Sequence, residues 1–389
     1  MKRASTKKCL AIGASILLAV GIWISPSMAA LQDPAPPSNG GGGLSIPLLG
    51  EASTINAYGS GYVYDMQLVG NTLYTAGIYY DPVFDVTNSY NPVKVYEIPH
   101  VHSAAHWAIE VADGRYYGLG TYLDVWDASV WAYLGGKSVS GEMQLDLDVV
   151  GNTAYVISDV GGQMAGQAGV LYTFNVTNPS NIQLLGWTAW SGYAQNAHPP
   201  NPTNILVAGN FAFIGQDGLK VYNITTPASP SAKAEFDAKS HLSVQDVHPQ
   251  DDMVKKDYQI FKAHRNLGIF ILDTRYIEYL GGSDIVLTGL IGEPTLALGD
   301  VIAFDIVGPL AFVATGKDQT LKIINISNIR KPQVVASRSI SHLFDTAVGN
   351  PVASLEVEVD GNRKRVYVGG EKAVGIYDVT MYIPTQAMK

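Results

Sequence analysis

A unit of about fifty residues recurs seven times along this 389-residue chain, and it restricts the possible folds more than any other feature. Its marker is an aromatic or aliphatic residue, then Asp or Asn, then a small or apolar residue, then Thr or Ser. The copies are 84–87 (FDVT), 126–129 (WDAS), 174–177 (FNVT), 222–225 (YNIT), the degenerate 272–275 (LDTR), 324–327 (INIS) and 377–380 (YDVT). Self-similarity at such a period is typical of solenoids and propellers.

Residues 62–98 show what one unit contains. Four runs rich in β-branched and aromatic residues cover 62–69, 72–79, 82–87 and 93–98, and turn-forming residues separate them. Gly70-Asn71 is a hairpin-turn signal between the first two runs. The pattern predicts a blade of four antiparallel strands. Seven such units predict an all-β fold, a seven-bladed β-propeller, rather than two or three separate domains.

The two ends of the array complement each other. Residues 44–53 (LSIPLLGEAS) resemble the fourth strand of a blade that lacks its first three, whereas the seventh unit has little chain left after its third strand. Open sheet edges invite aggregation, so we expect the N-terminal strand to pair with the edge of blade seven and close the ring.

A second marker, Val-Gly-Asn or a close variant, precedes most copies and predicts the turn between the first and second strands of a blade. Blade two has Ala112-Asp113-Gly114 at this place. In blade five we expect the charged segment 249–256 to replace the turn as an insertion.

The segments GNTAYVISD, GNFAFIGQDGLKVYNITTPASP and GPLAFVATGKDQTLKIINISNIRKP resemble the repeats of LVIVD-repeat β-propeller proteins of bacterial and archaeal surfaces. The resemblance extends over nearly all of residues 62–380. It implies a secreted or surface-bound propeller. It implies no activity, because the family has no single assigned activity and no catalytic motif.

The N-terminus has the features of a secretory signal peptide over residues 1–29. A basic start precedes a 16-residue apolar core, which is short for a membrane-spanning helix, and small residues precede a cleavage position after Ala29. A membrane anchor is the alternative. Residues 30–43, rich in Pro and then Gly, predict a flexible linker, so that 44–389 form the propeller. The chain is therefore expected in the periplasm or outside the cell.

Charge and cysteine content limit the partners further. The formal net charge is −9, and loss of Lys2, Arg3, Lys7 and Lys8 with the signal peptide takes it to −13. An acidic surface repels phosphate backbones, which argues against nucleic-acid binding. The single cysteine, Cys9, lies in the signal peptide, so the mature chain is predicted to have no disulfide and no membrane span.

The recurring Asn-x-Thr and Asn-x-Ser sequences match the N-glycosylation motif. They occupy one repeat position, however, at which blades one and seven carry Asp85 and Asp378. Asp and Asn share the ability to accept a hydrogen bond from the backbone two residues further on, so the position favours a structural turn.

The histidines fall on one side of the repeat. Loops from a fourth strand to the next first strand, and turns between second and third strands, open on the same face of a propeller. Seven of the eight histidines map to these connections: His100, His102, His106, His198, His241, His264 and His342. Imidazoles from separate loops would form a site for Cu or Zn at the mouth of the central channel. Solvated loop histidines are the alternative.

The first strands also carry acids, namely Asp65, Glu110, Asp146, Asp148, Asp246, Asp305 and Glu356. Such acids would orient histidine rings or cap neighbouring backbone.

Two functions fit these observations. The first is a secreted binding module that contacts a protein or polysaccharide through its loop-rich face, where Tyr79, Tyr80, Trp187, Trp190 and Tyr193 are candidate contact residues. The second is a metal-dependent oxidoreductase or hydrolase with its site at the channel mouth. No nucleophile elbow, phosphate-binding loop or zinc-protease motif is present in the sequence, so the catalytic residues are unknown.

Overall fold

The computed structural model describes residues 45–55, 61–140, 143–159, 167–191, 204–216, 218–237, 252–264, 267–292, 296, 298, 300–349 and 356–383. The predicted signal peptide, residues 1–29, and the predicted linker, residues 30–43, lie outside these ranges, as do His198 and His241. None of the helices in the described part of the chain is long and apolar enough to span a membrane.

Seven antiparallel sheets of four strands make up the described structure, as the repeat predicted. The closing strand is β1 (Leu48–Ser53). Blade one contains β2 (Asp65–Val69), β3 (Thr72–Ala76), β4 (Tyr80–Asp85) and β5 (Val93–Pro99). Blade two contains β6 (Ala108–Ala112), β7 (Arg115–Leu119), β8 (Tyr122–Asp127) and β9 (Tyr133–Ser138). Blade three contains β10 (Met143–Val150), β11 (Thr153–Asp159), β12 (Gln167–Asn175) and β13 (Gln183–Ser191).

The other four blades repeat this arrangement. Blade four contains β14 (Ile205–Ala208), β15 (Phe211–Gly215), β16 (Gly218–Asn223) and β17 (Ser231–Asp237). Blade five contains β18 (Met253–Lys256), β19 (Gln259–His264), β20 (Gly268–Asp273) and β21 (Val286–Gly292). Blade six contains β22 (Val301–Val307), β23 (Leu310–Thr315), β24 (Thr320–Asn325) and β25 (Gln333–Ser339). Blade seven contains β26 (Glu356–Asp360), β27 (Arg365–Gly369) and β28 (Ala373–Asp378), with β1 as its fourth strand. A short α-helix, α1 (Arg275–Glu278), follows β20, and single 3-10 turns cover Pro179–Asn181 and Ser341–Leu343.

The first strands of the blades lie side by side in a closed ring, in the order β2, β6, β10, β14, β18, β22, β26 and back to β2. The apolar core lies between the faces of neighbouring blades. Tyr367 and Phe84 belong to the same cluster and join blade seven to blade one, and Tyr74 and Trp126 join blade one to blade two.

The N-terminal strand closes the ring, as predicted. β1 pairs antiparallel with β28, with Ala52 opposite Val374 and Ser53 opposite Ala373. Ile46, just before the strand, is fully buried in the core shared by blades six and seven. The guanidinium of Arg338 donates a hydrogen bond to the carbonyl of Ile46 at 2.6 Å. The first and last described strands therefore share one sheet and leave no gap in the ring.

The repeat marker has the structural role that the Asp/Asn alternation predicted. In every blade its Asp or Asn side chain accepts a hydrogen bond, at 2.8–2.9 Å, from the backbone N–H two residues further on. The seven acceptors are Asp85, Asp127, Asn175, Asn223, Asp273, Asn325 and Asp378. The side chain holds the chain in a turn as it leaves the third strand.

The expected insertion at 249–256 in blade five is wrong. Met253–Lys256 is the first strand of that blade, and the turn lies after it, at Asp257 and Tyr258. Asp257 has φ +52°, the left-handed conformation that Gly70 and Gly209 adopt at the same place in blades one and four. Aspartate tolerates this conformation better than most residues, so the turn persists without its glycine. Asp246, which was expected in the first strand of this blade, lies outside the described residues.

The first-strand acids connect neighbouring blades. The carboxylate of Asp65 accepts a hydrogen bond from the backbone N–H of Ile109, on the first strand of blade two, at 2.8 Å. Asp146 and Asp148 accept in the same way from blade four, and Asp305 accepts from blade seven. Asp252, which directly precedes β18, accepts from blade six. These acids therefore satisfy backbone donors across the blade interfaces, which is the capping role that was one of the two expected from the sequence.

Candidate functional site

The structure places four of the five described histidines in the connections that the repeat register predicted, and the fifth, His264, at the end of a strand. His100, His102 and His106 lie between β5 and β6, His264 ends β19, and His342 lies in the 3-10 turn after β25. Three of these side chains gather at one interface, between blade one and blade two.

Two histidines and one aspartate form a buried Asp–His cluster, which consists of Asp81, His100 and His106. The carboxylate of Asp81 lies between the two rings: Oδ1 is 2.9 Å from His100 Nε2, and Oδ2 is hydrogen-bonded to His106 Nδ1. The ring centroids of His100 and His106 are 3.9 Å apart. Asp81 and His106 are fully buried, and the His100 side chain is 1% exposed.

Hydrogen bonds hold the histidine loop and Asp81 in place. The N–H of His106 donates to the carbonyl of Gly77 at 3.1 Å, and the N–H of His100 donates to the carbonyl of Tyr79 at 3.2 Å. Asp81 lies at the start of the third strand of blade one, and its Oδ1 also accepts the N–H of Gly77 at 2.8 Å. The hydroxyl of Tyr116, from blade two, donates to its Oδ2. The loop is therefore held against the second and third strands of blade one.

Asp124, on the third strand of blade two, extends the cluster towards the surface. Its Oδ1 is 3.0 Å from His102 Nδ1 and accepts a hydrogen bond from the Tyr133 hydroxyl at 3.0 Å. Its Oδ2 is 3.8 Å from His106 Nε2, which is longer than a hydrogen bond. The ring of His102 stacks on Tyr122 at 4.6 Å between centroids, and the side chain is 39% exposed. Asp124 thus links the buried cluster to an exposed imidazole.

Charges and hydrogen bonds within this group shift the pKa values of Asp81, His106 and Asp124 towards the charged forms. Burial alone would raise the pKa of Asp81, but His106 and His100 hold that pKa well below its usual range through their charge and hydrogen bonds. Burial lowers the pKa of His106, yet the charge of Asp81 and the contacts with Asp124 outweigh it and raise the pKa to about 9. Burial likewise opposes ionisation of Asp124, but its contacts with His106 and His102 bring the pKa of that carboxyl below its usual value. Burial and the charge of Asp81 raise the pKa of Tyr116 well above its usual value, so its hydroxyl remains a donor.

Two glycines of blade two make room for these side chains. A Cβ on Gly118 would lie 2.4 Å from His106 Nδ1, and a Cβ on Gly136 would lie 2.4 Å from Asp124 Oδ1. Both distances are far below van der Waals contact, so any larger residue would displace the ring or the carboxylate. Gly118 and Gly136 are therefore part of the site, because they leave the space that the His106 ring and the Asp124 carboxylate occupy.

Sequence reasoning identified the three histidines of this group but missed its two aspartates. Asp81 precedes Pro82 and resembles a turn residue, and Asp124 lies inside a strand. Of the first-strand acids, which were expected to orient histidine rings or to cap neighbouring backbone, Asp65 accepts from the backbone of Ile109, and Glu110 accepts from the Gln67 side chain at 3.3 Å. The start of a third strand lies on the same face as the histidine loop, and that register was the signal that could have indicated Asp81.

The other described histidines have separate surroundings. The His264 ring packs 5.4 Å from the ring of Phe270 in blade five. His342 Nε2 is 3.4 Å from the Tyr377 hydroxyl and 3.7 Å from Glu51, in blade seven. Burial lowers the pKa of His342. The structure therefore brings together His100 and His106, with His102 joined through Asp124, and does not bring His264 or His342 to them.

The buried cluster offers the donor set of a transition-metal site. One donor atom each from Asp81, His100 and His106 lies within 4.8 Å of the others, and no other His, Cys, Asp or Glu group in the described ranges meets this condition. Two imidazoles and a carboxylate are ligands that zinc, copper and iron accept.

Four exposed side chains lie on or beside the loop between β5 and β6, and we call them the exposed corner: Tyr79, Val101, His102 and Tyr133. Tyr79 is 48% exposed and adopts φ +68°, the left-handed region that bulky residues rarely enter. Its N–H donates to the carbonyl of Ala104 at 2.9 Å, so the histidine loop fixes this conformation. Of the other aromatic candidates, Trp187 is exposed on β13 and Trp190 is buried, whereas Tyr193 lies outside the described residues.

Comparison with known proteins gives the fold and no activity. No family model matches the chain, and no curated protein matches it. Among solved structures, the crystal structure of the computationally designed Ika8 protein is similar with a TM-score of 0.50 at 13% identity, and the match covers 82% of this chain and 96% of the designed one. Similarity at this identity concerns the fold alone. The resemblance to LVIVD-repeat proteins accordingly stays a prediction.

Proposed function

We propose that this β-propeller is an exported binding module and that it contacts a protein partner through the exposed corner of Tyr79, Val101, His102 and Tyr133. The observation that carries the proposal is Tyr79, an aromatic residue held in a left-handed conformation with half of its surface in solvent. Such backbone strain costs on the order of 1–3 kcal/mol and concentrates at functional positions.

The neighbourhood of Tyr79 is suited to binding. The four side chains of the corner combine two tyrosines, an imidazole and a valine, without a lysine, aspartate or glutamate among them. Aromatic residues are enriched in interfaces, and charged residues are depleted at interface centres. The loop beneath them is fixed by buried hydrogen bonds, so little conformational entropy would be lost on binding.

Export forms the second part of the proposal. The basic start, apolar core and small residues before Ala30 support a cleaved signal peptide, and the LVIVD-like segments support a periplasmic or extracellular place of action. A polysaccharide partner is the other class that an aromatic surface suits, and the experiment below separates the two.

A catalytic metal centre has less support in this structure. A catalytic metal keeps one coordination position open to water or substrate. The three metal-capable side chains of the described residues are each no more than 1% exposed. The burial of these side chains disfavours the rival function, a metal-dependent oxidoreductase or hydrolase, because a substrate would have to reach the metal between them.

The test is site-specific photo-crosslinking in cells that export the full chain. A photoreactive phenylalanine analogue at position 79 should give a discrete protein adduct. The same analogue at position 279, where Tyr279 is 77% exposed beyond α1 in blade five, should not. In the position-79 chain, His102→Ala combined with Tyr133→Ala should reduce the adduct at least fivefold.

Equal adducts at positions 79 and 279, or an adduct at 279 alone, would contradict the proposal. If position 79 gives no protein adduct and the purified chain binds cell-envelope polysaccharide in a Tyr79-dependent manner, the partner class is wrong although the surface is right.

A further inference from the structure

We propose that Asp81, His100 and His106 bind one divalent transition-metal ion as a closed structural site between blade one and blade two. The inference goes beyond the binding function, because it holds whether or not the exposed corner has a partner. It also differs from a site at the channel mouth, since it needs ligands from one loop and one strand only.

The donor atoms of the three side chains lie within 4.8 Å of one another. His100 Nε2 is within hydrogen-bond distance of Asp81 Oδ1, and His106 Nδ1 is within hydrogen-bond distance of Asp81 Oδ2. An ion placed among them would take two imidazole nitrogens and both carboxylate oxygens, which makes four donor atoms. Four nitrogen and oxygen donors at about 2.0–2.2 Å are a normal set for zinc in proteins.

The outer nitrogen of His106 gives an independent indication. His106 Nε2 and Asp124 Oδ2 are both buried, neither has a hydrogen-bond partner among the described residues, and they face each other at 3.8 Å. A histidine that binds a metal through one ring nitrogen usually donates the other N–H to a carboxylate. His106 and Asp124 have the arrangement that this second contact requires.

A metal ion bound to His106 Nδ1 would bring His106 Nε2 closer to Asp124 Oδ2. A nitrogen and an oxygen bound to one tetrahedral zinc lie roughly 3.3 Å apart, because each is about 2 Å from the ion. An ion would therefore hold His106 Nδ1 further from Asp81 than a hydrogen bond does. Because Nδ1 faces Asp81 and Nε2 faces Asp124, a shift of the ring away from Asp81 would carry Nε2 towards Asp124. That movement shortens the 3.8 Å contact towards hydrogen-bond length.

Charge also favours a cation at this position. The two carboxyl groups nearest the imidazoles, those of Asp81 and Asp124, are both fully buried. Buried anions need a balancing cation close by. A divalent ion between Asp81 and the two imidazoles provides this charge directly.

The site is structural rather than catalytic. Two histidines and a carboxylate also bind iron in oxygenases, where open positions on the metal face the substrate. Here the ligand side chains are at most 1% exposed. The ion would instead fasten residues 100–106 to β4, and through Asp124 to β8 of the next blade.

The experiment measures metal content and stability on the full mature chain, with Zn²⁺ as the probe. Chelator-treated protein is loaded with excess Zn²⁺, dialysed and analysed for metals. About one zinc per chain should remain, and the Tm should rise by several degrees, roughly as expected for a ligand that binds only the folded state. Co²⁺ in place of Zn²⁺ should give the visible absorption of a low-coordinate site with nitrogen ligands.

Variants locate the ion. His100→Gln and His106→Gln should each lower zinc retention at least tenfold, and so should Gly118→Ala, whose methyl group would occupy the space of His106 Nδ1. His342→Gln is the matched control, and it should retain about one zinc. His198→Gln combined with His241→Gln, at positions outside the described residues, should also retain it.

Three results would overturn the proposal. Wild-type protein that keeps less than about a tenth of an equivalent of any transition metal would exclude the site, and this measurement does not depend on whether a variant folds. Equal loss in His342→Gln and His106→Gln would show a general stability effect. Loss in the His198/His241 variant would indicate ligands from separate loops instead of the Asp81 set.

Discussion

Ile46 anchors the strand that closes the propeller, and replacing it by alanine tests the closure quantitatively. Its side chain is fully buried in the core shared by blades six and seven, next to the strand that pairs with β28. Buried isoleucine-to-alanine changes cost about 2–5 kcal/mol, because they remove apolar contacts and leave a cavity. We expect Ile46→Ala to destabilise the propeller by about 3 kcal/mol.

That free energy corresponds to a measurable shift in Tm. The entropy of unfolding is about 2.1 cal/mol/K per residue, which gives on the order of 0.7 kcal/mol per degree for a domain of this length. Ile46→Ala should therefore lower the Tm by about 4 °C, measured by circular dichroism or calorimetry on the purified mature chain.

The chain provides a matched control at Ile55, which follows β1 and is 44% exposed. Ile55→Ala removes the same atoms from a surface position and should change stability by no more than about 0.5 kcal/mol, or less than 1 °C. Equal shifts for the two variants, or a shift below about 1 °C for Ile46→Ala, would refute the reasoning that β1 carries the closure through its buried side chain.

Three further predictions concern the blade interfaces and export. Asp146→Ala should destabilise the propeller by about 2–4 kcal/mol in urea unfolding, because it leaves the buried N–H groups of Leu147 and Ile205 without their acceptor. Burial and the charge of Glu358 raise the pKa of Asp305 well above its usual value. The folded state therefore binds the Asp305 proton more tightly than the unfolded state, so this group's contribution to stability is full below about pH 4 and is lost as the pH rises through the folded pKa. Asp305→Asn should flatten the fall of Tm with rising pH. N-terminal sequencing of the exported protein should begin at Ala30 or within a residue or two of it.

Each of these predictions has a contradicting result. Asp85→Ala removes the acceptor of an exposed turn. If it lowers the free energy of unfolding as much as Asp146→Ala does, the hydrogen bonds across the blade interface do not contribute more than an exposed one. An unchanged pH dependence in Asp305→Asn would assign the titration to another group. Recovery of the intact chain, from residue 1, in the membrane would contradict cleavage after Ala29.

The sequence by itself determined the fold, because the information that forms a blade is local. Each repeat contains its own strand runs, its own turn between the first two strands and its own Asp or Asn that holds the turn after the third. The closing strand was predictable for the same reason, since residues 44–53 match the end of a repeat and have no beginning of their own. Where a repeat changed its turn residue, as with Asp257 in blade five, the local signal weakened and the strand was misplaced.

The partners of the histidines were decided by the tertiary structure alone. The sequence separates Asp81 from His106 by 25 residues and from Asp124 by 43. They meet only because the third strands of two blades start beside the loop that joins those blades. The packing of one blade against the next also selects which loop histidines are buried against a carboxylate, as His106 is, and which remain in solvent, as His102 does in part. Side-chain contacts between blades depend on the twist and the spacing of the sheets, and the repeat pattern specifies neither of them.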